Sequence, residues 1–107
     1  MKSPMSNPQA EMFTAAVTVL DDYGLHARPA ANLAKAAQEF KAEIRLISGA
    51  SSADVKSILD VLSLAAGKNE QLTLECRGED ASEAGLALTR LFQSKFSQNG
   101  AERVGMP

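Results

Sequence analysis

The sequence has no tryptophan, one histidine and one cysteine, and aromatic residues make up only 5% of it. Each shortage excludes something. With so few rings, the chain has no platform on which nucleobases could stack. Cys76 is alone and cannot form an internal disulfide. One histidine and one distant cysteine, with no partner at ligand spacing, do not make a zinc site, so neither a metal nor a cofactor is expected. Lysine and arginine total 11 against 13 acidic residues, for a formal net charge of -2. That balance offers no basic excess to a nucleic acid and no Lys/Arg block to a membrane surface. No apolar run approaches the roughly 20 residues of a bilayer-spanning helix. The opening MKSPMSNPQAEM lacks the apolar centre of a secretory signal. The expectation is a cytoplasmic protein with no nucleic-acid partner and no membrane insertion.

What is present suits one globular domain. The chain has 107 residues, 45% hydrophobic and 22% charged, ordinary values for a folded soluble unit. Both ends lack apolar periodicity, so residues 1–11 and 98–107 read as flexible tails around a domain at 12–97. Phe13, Ala15, Val17 and Val19 alternate as in a half-buried strand. Asp21 to Gly24 is a loop. From Ala27 to about Phe40, apolar residues (Ala30, Leu33, Ala34, Ala37, Phe40) recur at helical spacing. Glu43 to Ile47 alternates again. Gly49 to Ser52 reads as a turn, with a short strand through Asp54-Val55-Lys56. Ser57 to Leu64 is a short helix and Gln71 to Arg77 a strand that places Leu72, Leu74 and Cys76 together. Ala81 to Phe96 is a long helix with Ala84, Leu88, Leu91, Phe92 and Phe96 on one stripe. The order βαββαβα predicts an α+β fold, with three helices covering one face of a four-stranded, mainly antiparallel sheet. Thr14, Thr18, Glu75 and Arg77 would belong to the solvated face. Cys76, on the apolar side, reads as a small buried hydrophobe.

The single histidine stands in the stretch GLHARPA, Gly24 to Ala30. If Ala27 opens the helix, Pro29 lies in the first turn, where its missing N–H costs no helical hydrogen bond. The N–H groups of Ala27 and Arg28 are then unpaired donors at the helix mouth. The helix dipole adds positive potential, and the Arg28 guanidinium adds a fork suited to phosphate oxygens. An anion would be stabilised there, and a neutral imidazole is a competent nucleophile. Two readings of His26 stay open on these residues alone: a structural helix cap, or a nucleophile beside an anion site. No nucleophile-elbow sequence supports a Ser/His/Asp triad.

GLHARPA followed by an amphipathic helix resembles the phosphorylation-site signature of the histidine-containing phosphocarrier (HPr) family of the bacterial phosphoenolpyruvate:sugar phosphotransferase system. KSILDVLSL, Lys56 to Leu64, resembles the family's second signature, which carries a regulatory serine, here Ser57. The similarity runs from about Phe13 to Phe96, and the element order is that of the family's open-faced β-sandwich. The resemblance implies that enzyme I, charged by phosphoenolpyruvate, transfers a phosphoryl group to Nδ1 of His26. The group then passes to an enzyme IIA component on the way to an incoming sugar. Arg28 and the helix N–H groups of Ala27 and Arg28 would hold the moving phosphate. Such a chain is a carrier rather than an independent catalyst, and it is expected to be a monomer. Two departures stand out. Residues 65–70, AAGKNE, differ from the glycine-containing stretch expected after the helix, and the segment before Phe13 is longer than usual.

Ser57, with Asp60 three residues on, also reads as a capping-box N-cap with Asp in place of Glu or Gln. The same hydroxyl is compatible with phosphorylation by an HPr kinase/phosphorylase, which the resemblance implies for some members and not others. The helix behind it is apolar nearly all round. Val61, Leu64 and Ala65 are expected in the core. Ile58, Leu59 and Leu62 would be exposed near the His26 loop as a partner-binding patch, with Lys35 and Lys56 as a positive rim. Two alternatives remain: a paralogue of the nitrogen-related branch with a regulatory output, and a non-phosphorylated binding adaptor in which His26 is only a cap.

Overall fold

The computed structural model describes residues 11–94. The elements in chain order are β1 (Met12–Thr18), α1 (Ala27–Ala37), β2 (Glu43–Ser48), β3 (Ser51–Asp54), α2 (Ile58–Ser63), β4 (Gln71–Arg77) and α3 (Ala81–Gln93). The strands form one antiparallel sheet in the order β1-β4-β2-β3. Period-two alternation sorts every strand's side chains between two faces. The register aligns Phe13, Cys76 and Ile44 in one apolar row and Ala15, Leu74, Leu46 and Ala53 in the next. The opposite face sets Thr14, Glu75, Arg45 and Asp54 in a row, with Arg77 across from Glu43. Opposite charges face each other there, and cross-strand pairs of this kind favour a water-exposed face.

The three helices cover the apolar face, giving the expected α+β open-faced sandwich. Leu33 of α1, Val61 of α2, and Leu88 and Phe92 of α3 are buried against Ile44, Leu46, Leu72 and Leu74. Gly85 lets α3 approach the sheet, because a Cβ there would overlap the Phe13 ring. Cys76 is fully buried. Burial first, and then the charges of Asp80 and Glu75, push its thiol up to about 11, so it packs as an apolar group.

Several boundaries differ from the sequence expectation. α1 ends at Ala37 rather than Phe40. Glu39 and Phe40 bond back only three residues, to Ala36 and Ala37, which winds the chain out of the helix. The Asp80 carboxylate then captures the next two N–H groups, of Lys41 at 2.9 Å and Ala42 at 2.8 Å. β3 occupies Ser51–Asp54, not residues 54–56, because Gly49 and Ala50 alone close a two-residue hairpin that pairs Ser48 with Ser51. Past Asp54, the Asp54 side chain accepts the Lys56 N–H and its carbonyl the Ser57 N–H, which turns the chain out of the strand. α2 stops at Ser63, and Ala65, expected in the core, is exposed at φ +52°, while Ala66 is buried in its place. α3 is described to Gln93, and the expected continuation to Phe96 lies outside the described residues, as do residues 1–10 and 98–107 of the expected tails.

Candidate functional site

The loop before α1 is built on two fixed points. The Asp21 carbonyl accepts the Gly24 N–H at 3.0 Å, and the Asp21 side chain accepts the Tyr23 N–H at 2.9 Å. This is the side-chain-closed turn that an Asp in first place favours. Gly24 sits at φ +74°, and a Cβ on it would lie 2.5 Å from the Ala66 carbonyl oxygen. That oxygen accepts the N–H of buried Leu25 at 2.9 Å. The loop after α2 thus forms the floor of the site. It is pinned in turn by Glu70, whose carboxylate takes the Ser48 hydroxyl at 2.8 Å and the Gly67 N–H at 3.1 Å. Those two bonds, the Ser48 one first, hold its carboxyl below the usual value.

His26 is the N-cap of α1 by backbone geometry, but its side chain makes no capping hydrogen bond. The cap reading therefore holds for the backbone alone. The ring stays 40% exposed, with Nε2 at 3.3 Å from Asp21 Oδ1. Tyr23 meets it edge-on, at 87° between planes and 5.9 Å between ring centres. The first backbone bond of the helix runs from Ala30 N–H to the His26 carbonyl at 3.0 Å, which leaves the N–H groups of Ala27 and Arg28 without a helical acceptor. No acidic residue stands in the first turn. Arg28 is exposed and, among the described residues, has no ion-pair partner. Lys68 pairs with Asp22 at 3.0 Å beside the loop.

Of the other predicted site residues, Lys35, Lys56 and Ser57 lie at the end of α1 away from His26. α1 and α2 run antiparallel. Leu25, before α1, bonds to Ala66 after α2, while Gln38 and Phe40, after α1, bond to Lys56 before α2. Lys56 Nζ donates to the Phe40 carbonyl at 2.8 Å, and exposed Lys35 sits in the last turn of α1. Ser57 caps α2, its hydroxyl accepting the Asp60 N–H at 3.3 Å. The reciprocal half of the capping box does not form, because Asp60 reaches the Asp54 N–H instead. Ile58 and Leu59 are exposed, at 41% and 78%. Leu62 is not a free surface residue as expected: it packs against the core, since α2 touches both α1 and β3. Sequence reading passed over Asp21 and Tyr23, which frame the imidazole. The signal available was a turn with Asp in first place and Gly in fourth.

A helix-on-sheet sandwich that leaves its only imidazole half-exposed at a helix mouth, with free N–H donors and a free guanidinium beside it, has the architecture of a phosphoryl carrier. Comparison with known proteins agrees. The family model described as "PTS HPr component phosphorylation site" matches residues 13–94. The phosphocarrier protein HPr of Treponema pallidum is 40% identical over 87 residues, covering 81% of this chain and 99% of that protein. The phosphocarrier protein NPr of Shewanella violacea is 40% identical over 82 residues, covering 77% and 90%. The crystal structure of HPr-C-His from Thermoanaerobacter tengcongensis superposes with a TM-score of 0.77 at 31% identity, covering 80% of this chain and 97% of that one. The chain belongs to the HPr family of phosphocarriers of the phosphotransferase system. Among the described residues, no helix is long and apolar enough to cross a membrane.

Proposed function

We propose that His26 accepts a phosphoryl group from phosphoenolpyruvate-charged enzyme I and passes it to an enzyme IIA component for sugar uptake. In this reading, residues 12–97 act as a monomeric unit in the bacterial cytoplasm. The observation that carries it is the half-exposed imidazole at the N-terminus of α1, with two unpaired N–H groups and no acidic residue in the first turn. Incoming phosphate oxygens meet partial positive charge from the N–H groups and full charge from Arg28. Such chemistry needs positioning and electrostatics rather than a deep pocket. Ile58 and Leu59 supply apolar contact to the partners, with Lys35 and Lys56 at the rim and Leu62 beneath. Ser57 is the regulatory position. A phosphate on it would place negative charge on that same contact surface, weakening docking to an acidic partner face.

The test is incubation with phosphoenolpyruvate and enzyme I. The expected product is an acid-labile, base-stable phosphoryl group that is absent from His26→Ala. Label that survives His26→Ala would falsify the assignment. A regulatory output in the nitrogen-related branch is the second reading, favoured by the equal 40% identity to the NPr relative. Transfer to a sugar-type enzyme IIA against a nitrogen-type one separates the two.

A further inference from the structure

We propose that Asp21 is a positioning residue for His26, holding the ring by Nε2 so that Nδ1 is the nitrogen left to take the phosphoryl group. The inference deepens the proposed function and rests on His26 being the acceptor.

An imidazole presents two nitrogens of similar chemistry, so a carrier that must dock with two partners gains from offering only one. Asp21 Oδ1 lies 3.3 Å from Nε2. A carboxylate only accepts, so it favours the proton on the nitrogen it faces and leaves the lone pair on the other. The carboxylate is itself held. The same Oδ1 takes the Tyr23 N–H at 2.9 Å, and the Asp21 carbonyl takes the Gly24 N–H at 3.0 Å. Gly24 backs closely onto the loop after α2, where a Cβ would lie 2.5 Å from the Ala66 carbonyl oxygen. The Asp21 side chain is 21% exposed against 40% for the ring, so the acceptor is the better-anchored member of the pair. Tyr23, itself exposed, meets the ring edge-on. Of the remaining nearby charges, Asp22 and Lys68 neutralise each other at 3.0 Å, and Arg28 stands in the first turn of α1.

The step balances simply. The Nδ1 lone pair attacks phosphorus, the bond from phosphorus to the donor's leaving atom breaks, and the electron pair departs with the donor. The ring, already carrying its proton on Nε2, becomes a phosphoimidazolium whose positive charge faces the Asp21 carboxylate.

Phosphoramidate tests this without a partner protein, since it phosphorylates histidine directly and releases ammonia. Phosphorus NMR in base distinguishes the Nδ1 from the Nε2 product. Wild type is expected to carry the group on Nδ1. Asp21→Ala is expected to raise the ratio of Nε2 to Nδ1 product about fivefold, the effect of losing one part-exposed charge pair. Asp21→Asn keeps the oxygen that closes the turn but not the charge, and it should move the ratio in the same direction. A merely structural Asp21 would change the amount of product, not the isomer. The same isomer ratio in wild type and both variants overturns the proposal, as does an Nε2 product that dominates in wild type. Either result leaves enzyme I labelling of His26 standing, whereas failure of that labelling overturns the reading beneath it.

Discussion

At the scale of single residues, the site separates holding from reacting. Asp21, Tyr23 and Gly24 form a turn that fixes where the imidazole stands. Arg28 has no such duty: it is exposed, and none of the described acidic groups pairs with it. Its charge is available to a phosphoryl group in transit. Arg28→Ala is therefore expected to slow phosphotransfer roughly ten- to hundred-fold. Stability should stay within about 0.5 kcal/mol of wild type, as for a surface substitution. Transfer kinetics set against thermal unfolding of the same protein check both halves. An unchanged rate would remove Arg28 from the site.

At the scale of elements, the site depends on how α1 and α2 are set against each other and against the sheet. Asp80 stands at the N-cap position before α3, yet its carboxylate caps the backbone after α1, at Lys41 and Ala42. The Lys41 N–H above all holds the Asp80 carboxyl below its ordinary 3.8; burial, the next effect, works against it, and the Ala42 N–H lowers it further. A carboxyl lowered by folding stabilises the native state fully above its unfolded value, and that contribution is lost as pH falls through the folded one. Asp80→Ala should cost about 1 kcal/mol near neutral pH. The gap to wild type should close only below pH 3.8, as followed by urea unfolding across pH. α2 offers the cleaner functional probe. Leu59 is 78% exposed whereas Leu62 helps cover the core, so Leu59→Glu isolates docking from folding. It should raise KM for a partner about tenfold or more with unchanged unfolding. Leu62→Glu should both raise KM and lower the unfolding midpoint, because Leu62 packs on the core, and unfolding midpoints distinguish the two variants. Ser57 as a cap was legible because its partner, Asp60, lies three residues on. The early end of α1 was not, because the carboxylate that captures the next N–H groups comes from 38 and 39 residues away.

At the scale of the molecule, one apolar cluster draws residues from every element but β3. Leu88 of α3 is fully buried in the same cluster as Leu33 of α1 and Val61 of α2. Leu88→Ala should cost about 3 kcal/mol and lower one cooperative transition rather than split it, which calorimetry reads directly. The architecture was legible because its signals are periodic. Alternation in Gln71 to Arg77 and helical spacing from Ala81 onward survive whatever the loops do. The sheet order β1-β4-β2-β3 and the face-to-face charges of Glu43 with Arg77 and Glu75 with Arg45 emerge only from long-range pairing. GLHARPA could be recognised as a contiguous motif, while the Asp21 carboxylate beside Nε2 shows only once the turn has folded back. In the proposed function, the fold serves to present one nitrogen of one imidazole to a phosphoryl donor. The most direct measurement is the position of the phosphoryl group after reaction with phosphoenolpyruvate and enzyme I, read by phosphorus NMR on the intact chain. The predicted result is one phosphohistidine per chain, on Nδ1 of His26, discharged when enzyme IIA is added. A chain that stays unphosphorylated, or that carries the group on any other residue, would contradict it.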